Sequence, residues 1–203
     1  MARSGERYEA MRTATEEKVR AAAIRLFARS GFGGTTMRDI AREAGISPGS
    51  IYRHYETKEE LFGQLVGQAA GGLRQLAHLF QGSESPAAIL RRFVAEVLGG
   101  IDGGGDFPEF FLIMNQSFGW QDGPPEIRSL VDAQSVAMEA AERLIGRGQQ
   151  LGEFRDGDPA ELATCFFAAL SGLATMKLAL RDRLVVPSTN VLTAFLIEDS
   201  HDD

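Results

Sequence analysis

The side chains best equipped for chemistry lie in one short run, SPGSIYRHYETK, from Ser47 to Lys58. Ser50, Tyr52 and Arg53 bring hydroxyl, phenol and guanidinium groups close together, Ser47 and Gly49 leave room beside them, and no acid interrupts Ser47 to Tyr55. A DNA major groove asks for this set: donors for base edges and phosphates, small residues for close approach, and aromatic hydroxyls that reach phosphate. Ser50, Tyr52 and Arg53 are therefore candidates for base contact. Thr36, Ser47, His54, Tyr55 and Lys58 are candidates for phosphate contact; of these Thr36, Ser47 and Lys58 lie at helix starts, where unpaired amides point outward. Thr35, Pro48 and Gly49 complete the predicted DNA-binding set.

Local signals predict the elements that hold these residues. Thr36 stands three residues before Asp39, a cap and an acid for the first turn of a helix, and Ile40, Ala41 and Ala44 form its inward stripe. Gly45 ends that helix by tolerating the left-handed conformation. Ser47 and Pro48 start a second helix that turns Ile51 inward, and Thr57 with Glu60 starts a third. Two short helices joined by a tight turn through a glycine make a helix-turn-helix. Thr13 and Glu16 start a supporting helix ahead of them, with Val19, Ala23, Leu26 and Phe27 inward and Gly31 at its end. Residues 1–12, with Arg3, Arg7 and Arg12 among glutamates, are expected to be a disordered arm.

The run TTMRDIAREAGISPGSIYRHYETKEELF, preceded by FARSGFGG, resembles the DNA-binding domain of the TetR family of bacterial transcriptional repressors over roughly residues 13–62. The Thr pair, the Ala-Gly-Ile turn, the Ser-Pro-Gly start, the Tyr-x-His-Tyr exit and the following Lys occur in order without gaps. The resemblance implies an all-helical homodimer whose C-terminal domain binds a small molecule and thereby releases DNA. It also implies a palindromic operator and the sign of regulation, a repressor. The later segment LGEFRDGDPAEL is similar to the corresponding junction of many such chains.

The fold class expected is all-α: an N-terminal helix-turn-helix domain at 13–60, and a ligand-binding and dimerisation domain at 61–203. The helix starting at Thr57 is expected to reach about Phe80 and to join the two. Its glycines Gly63, Gly67, Gly71 and Gly72 fit either a bending lever or close packing against a neighbour. Helices are then expected from Pro86 to the GGIDGGG run, from Asp106, from Pro125 to about Gly146, from Pro159 to about Asp182, and from Pro187 to Ile197. The last two, rich in small and apolar residues, are expected to pair with their symmetry mates in a four-helix interface. Phe107, Phe110, Phe111, Met114, Phe118 and Trp120, met by Phe166, Phe167 and Met176, form the predicted ligand-binding cluster. Asn115, Gln116 and Gln134 are its polar fixings. A ligand there would be small and largely apolar or aromatic.

Bulk properties agree with this division. Net charge is −7, but residues 1–60 hold 11 Lys or Arg against 9 Asp or Glu, whereas residues 61–203 hold 10 against 19. Positive charge is thus concentrated at the DNA-reading end. A single cysteine, Cys165, beside Phe166 and Phe167 on a helix suggests a buried inert thiol, and MARSGERYEAMR has no apolar core of signal-peptide length. No uninterrupted apolar run of about 18 to 20 residues is found, so a cytoplasmic protein without membrane contact is expected. His54, His78 and His201 lack metal-ligand spacing, and G-x-S-x-G and G-x-x-x-x-G-K are absent, so no metal, cofactor or catalytic residue is implied. The alternative is a helical dimeric adaptor or a metal-free enzyme without DNA binding. Either would leave Tyr52, Arg53 and Tyr55 dispensable.

Overall fold

A computed structural model describes residues 2–120 and 123–197, with side chains from residue 7 onward. Arg3 and Glu6 of the expected arm, by their side chains, and His201 lie outside the described residues. The expected all-α architecture is observed, in the order α1 (Ala2–Ser30), α2 (Met37–Glu43), α3 (Pro48–Ile51), α4 (Lys58–Phe80), α5 (Pro86–Asp102), α6 (Phe107–Ser117), α7 (Glu126–Gln150), α8 (Pro159–Leu180), a 3-10 turn (Arg181–Arg183) and α9 (Thr189–Thr193).

Side-chain caps set most of the helix starts. Thr36, Ser47, Thr57, Ser85, Asp158 and Ser188 each accept an amide of the first turn of the helix they precede, and a proline follows Ser47, Ser85 and Asp158 at the position that needs no donor. Asp106 differs from the expectation: it makes no cap bond at the start of α6. Its carboxylate reaches across to α1 instead.

Three boundaries depart from the sequence reading. Residues 2–12 are helical, continuous with α1, rather than a disordered arm. Arg, Glu, Ala and Met dominate the stretch, no proline breaks it, and Arg12 pairs with Glu16 one turn on, so helix propagates backwards. α5 runs through Gly99 and Gly100 to Asp102, because Val97, Leu98 and Ile101 bury their side chains and outweigh the glycines. α9 is five residues long; the chain then turns and Ile197 pairs with Phe154 in an isolated antiparallel bridge.

Two cores result, and α4 runs through both. The first joins α1, α2, α3 and the first half of α4, and also takes in Ile113 and Met114 of α6 and Ile127, Leu130 and Ala133 of α7. The second joins the end of α4 with α5, α7, α8 and α9. Packing therefore crosses the division expected between residues 60 and 61. The α4 glycines separate into kinds: a Cβ at Gly63 would come within 2.9 Å of the Glu126 carboxylate, so it marks close approach to α7, while at Gly67, Gly71 and Gly72 it would meet nothing within 4 Å.

Candidate nucleic-acid interface and effector cavity

The helix-turn-helix is built by short-range bonds. The Thr36 hydroxyl donates to Asp39 Oδ2 at 2.6 Å and accepts the Asp39 N–H at 3.2 Å, while the Thr36 N–H donates to the same carboxylate, a complete capping box. These bonds, the Thr36 hydroxyl's first, together with Arg42, hold the Asp39 carboxyl below its usual range. Gly45 takes φ +69°, and the Ile46 N–H donates back to Ala41 O, closing the turn. Ser47 Oγ accepts the Ser50 N–H at 3.2 Å and starts α3. With Ile51 wholly buried as the anchor, Ser47, Pro48, Gly49, Tyr52 and Arg53 are left facing water, and Ser50 and His54 are half-buried.

Three members of the predicted DNA-binding set are turned inward. Tyr55 is only 3% exposed and sits in the first core, where burial pushes its phenol above the ordinary range. It is a core residue rather than a phosphate contact: α3 ends at Ile51, and the chain swings inward on its way to α4. Thr35 is 1% exposed, and its hydroxyl donates to Gly31 O and Leu26 O, sealing the end of α1. Lys58 directs its ammonium onto Phe32 O at 2.7 Å and Thr35 O at 2.9 Å, 4.2 Å above the Phe32 ring centroid. It ties the α1–α2 turn to α4 instead of reaching for phosphate. Lys58→Met leaves both carbonyls without that donor, so it should destabilise the protein by about 1–3 kcal/mol, read as a lower midpoint in urea. An unchanged midpoint would show that water replaces the ammonium without cost.

Behind this face, the second half of α4 and α5 to α8 surround a cavity of about 520 Å³. Phe107, Phe110, Phe111, Met114, Phe118 and Phe167 of the predicted ligand cluster line it, with Asn115 and Gln134 among the polar groups. Trp120 does not: it packs at a steep tilt against Phe32 and Phe62, with centroids 4.8 and 5.3 Å away, because the chain after α6 folds back over the first core. Phe166 is 1% exposed within the second core, one helical step away from the lumen, and Met176 lies on the outer surface of α8. Gln116 faces a smaller void of about 160 Å³, between α6 and the first core. Cys165 is exposed on α8, not buried, while its neighbour Phe166 turns into the bundle.

α6 is a shared wall. One side of it packs into the first core through Ile113 and Met114, the other lines the cavity, and Asp106 at its start holds Arg25 of α1 in two bonds of 3.0 and 3.1 Å. Arg25 also reaches Glu43 at the end of α2, at 3.3 Å. A chain of contact therefore runs from the cavity lining through α6 to both helices that support the reading face.

Comparison with known proteins decides what this head is. Residues 19–65 match the family model described as bacterial regulatory proteins, tetR family. The chain carries a TetR-family DNA-binding domain. Its relatives there include the uncharacterised HTH-type transcriptional regulator YerO of Bacillus subtilis, 48% identical over 46 residues, which are 23% of this chain and 16% of that protein. The HTH-type transcriptional repressor Rv3405c of Mycobacterium tuberculosis is 38% identical over 71 residues, 35% of this chain and 36% of the repressor. The matched stretches thus span well under half of those relatives' own length. The MbdR regulator from Azoarcus sp. CIB shares the fold over 90% of this chain and 97% of its own, with a TM-score of 0.71 at 23% identity.

The TetR-family head also gathers beside α3 residues that were expected in the N-terminal arm and the supporting helix, outside the predicted DNA-binding set. Tyr8, Met11, Arg12 and Thr15 on α1 join Ser50, Arg53 and His54 around a shallow cleft of about 350 Å³ beside α3. The i, i+4 spacing of Tyr8 with Arg12 and of Met11 with Thr15 was the signal available, and it was hidden by treating the stretch as an arm. Arg12 Nε donates to Glu16 at 2.9 Å, and His54 Nδ1 lies 3.3 Å from the same carboxylate. Those bonds, Arg12's first, hold the Glu16 carboxyl below its usual range. Arg38, exposed on α2, is a further cation on the head.

Proposed function

We propose that the protein is a ligand-responsive transcriptional repressor that binds a palindromic operator as a homodimer in the cytoplasm and is released by a small, largely apolar effector. The observation that carries this reading is the double role of α6, at once cavity wall and part of the head's core. An effector changes operator affinity only if it binds one arrangement of the heads better than the other, and a helix that touches both sites lets it do so. The void between α6 and the head gives that helix somewhere to move. Ser50, Tyr52 and Arg53 read bases, and Thr36, Ser47, Pro48, Gly49 and the half-buried His54 settle the backbone around them.

The dimer forms through the outward face of α8 with α9. Thr164, Cys165, Ala168, Gly172, Thr175, Met176 and Ala179 are exposed along α8, and Val191 and Phe195 beside it. Small residues at helical spacing let a partner's axis approach closely. α8 is also long and apolar enough to cross a membrane by length and composition, with only 22% of its most apolar window buried. Its place in a bundle against α6 and α7, and its small rather than bulky outer residues, favour a second copy of the chain as its cover.

Fluorescence anisotropy of the purified protein on its own upstream intergenic DNA, against a scrambled duplex and over a salt series, tests the reading. Selective binding that weakens steeply with salt is expected. Equal binding to both duplexes at every salt concentration counts against it. The tie between α1 and α6 makes its own prediction. Arg25→Ala and Asp106→Ala should show a coupling of about 1 kcal/mol in a double-mutant cycle by urea unfolding, limited by the 40% exposure of the Arg25 side chain. Strict additivity would remove the ion pair from the coupling path.

A further inference from the structure

We infer that the effector is an uncharged molecule with a flat apolar body and a hydrogen-bonding group, lying over a glycine floor at Gly71 and Gly72. This deepens the proposed function and rests on its reading of the cavity as an effector site. Two features of the lining carry it.

The first is the absence of charge. Asp, Glu, Lys and Arg make up 24% of the chain, yet among the described residues none of them, and no histidine, lines the cavity. An ion entering would lose hydration and find no countercharge. The Phe rings offer a cation only their faces, without the Trp or Tyr rings or the carboxylate that strengthen such sites. The polar lining is neutral: Gln68 and Gln75 from α4, Asn115 from α6, Gln134 from α7 and Ser171 from α8. Asn115 and Gln134 are half-buried, and neither side-chain amide has a hydrogen-bond partner among the described residues. An amide both donates and accepts, so these two suit a hydroxyl, carbonyl or amide on the ligand.

The second feature is the floor. Gly71 and Gly72 lie inside α4 with ordinary helical backbone, and a Cβ at either would meet nothing within 4 Å. Neither backbone conformation nor helix packing calls for glycine there, although each weakens the helix relative to alanine. Both line the cavity together with the aromatic side chains of α6. Leaving off the side chain keeps a flat strip of peptide for a ring to lie on.

Isothermal titration of the full-length protein with 2-naphthol, 2-naphthoate and 2-naphthylmethylammonium at pH 7.4 keeps the ring and changes the charge. The neutral probe should bind at least about tenfold tighter than either ion. Gly71→Leu, with folding verified by circular dichroism, should weaken 2-naphthol by at least about tenfold, and Gly71→Ala should raise the thermal midpoint. Equal or tighter binding of an ion, failure of all three probes to bind, or a Leu variant with unchanged affinity would overturn the inference. Operator binding measured alongside separates the two ideas. A neutral probe that occupies the cavity without altering DNA affinity sinks the regulatory reading alone, whereas a charged probe that releases DNA sinks the inference alone.

Discussion

Replacing Arg53 with alanine lowers operator affinity by about 5- to 150-fold for each head, and by the product of the two in a dimer on a palindrome. Arg53 is exposed in the turn just past the α3 C-cap Tyr52, and makes no ion pair among the described residues, so its guanidinium is available to the duplex without first breaking a bond. Tyr52, 51% exposed beside it, should follow with a smaller loss on Tyr52→Ala. Anisotropy over a salt series distinguishes the roles. A base contact lowers the preference for operator over scrambled DNA, while a phosphate contact weakens both and reduces the salt slope by about one per head. Tyr55 supplies the control. Tyr55→Phe, which keeps the buried ring, should bind DNA normally, whereas Tyr55→Ala opens a cavity in the head worth about 3–5 kcal/mol of stability. Unchanged affinity of the Arg53 and Tyr52 variants for both duplexes would dismiss α3 as the reading element.

Placing arginine at Ala168 converts the protein to a monomer, and operator affinity falls by on the order of 10² to 10⁴ because the second head is no longer held near its half-site. Ala168 lies at the middle of the small-residue face of α8, exposed, with Gly172 one turn on. A guanidinium there must either be buried against the partner's apolar helix without a counterion or hold the two helices apart. Light scattering coupled to size-exclusion chromatography gives the mass directly. The folding of each chain should be preserved, because the site faces away from both cores. A dimer that persists with Ala168→Arg would move the interface elsewhere. Two heads on one face of the duplex imply half-sites about 34–36 Å apart, one turn of DNA.

The helix starts were legible because capping is local. Thr36 and Asp39, or Ser47 and Pro48, are neighbours in sequence and find each other whatever the rest of the chain does. The outward set on α3 followed from the same logic, once Ile51 was assigned inward. What could not be read were groups whose partners are distant in sequence. Lys58 looks like a phosphate ligand until Phe32 and Thr35 bring their carbonyls to it, and Asp106 looks like a cap until Arg25 arrives from 81 residues away. The cavity was half legible for a related reason. Helical spacing placed Phe107, Phe111, Met114 and Phe118 together, but the path of the chain beyond α6 took Trp120 to the head, and only the packed bundle turned Phe166 and Met176 away from the lumen. Gly71 and Gly72 were visible as costly residues, yet the open space above them was not.

Trp120 is the only tryptophan in the chain, and it sits against Phe32 and Phe62 at the seam between the head and the far end of α6. Indole emission depends on the polarity around the ring, so fluorescence excited beyond the tyrosine absorption originates at one place, the joint through which the proposed effector signal would pass. Any displacement of α6 that opens this seam to water shifts the emission to the red, and one that tightens it shifts it to the blue. The molecule thereby carries its own optical gauge. Unlabelled protein in a plate reader is enough to screen for effectors that move the joint, before any operator sequence is known.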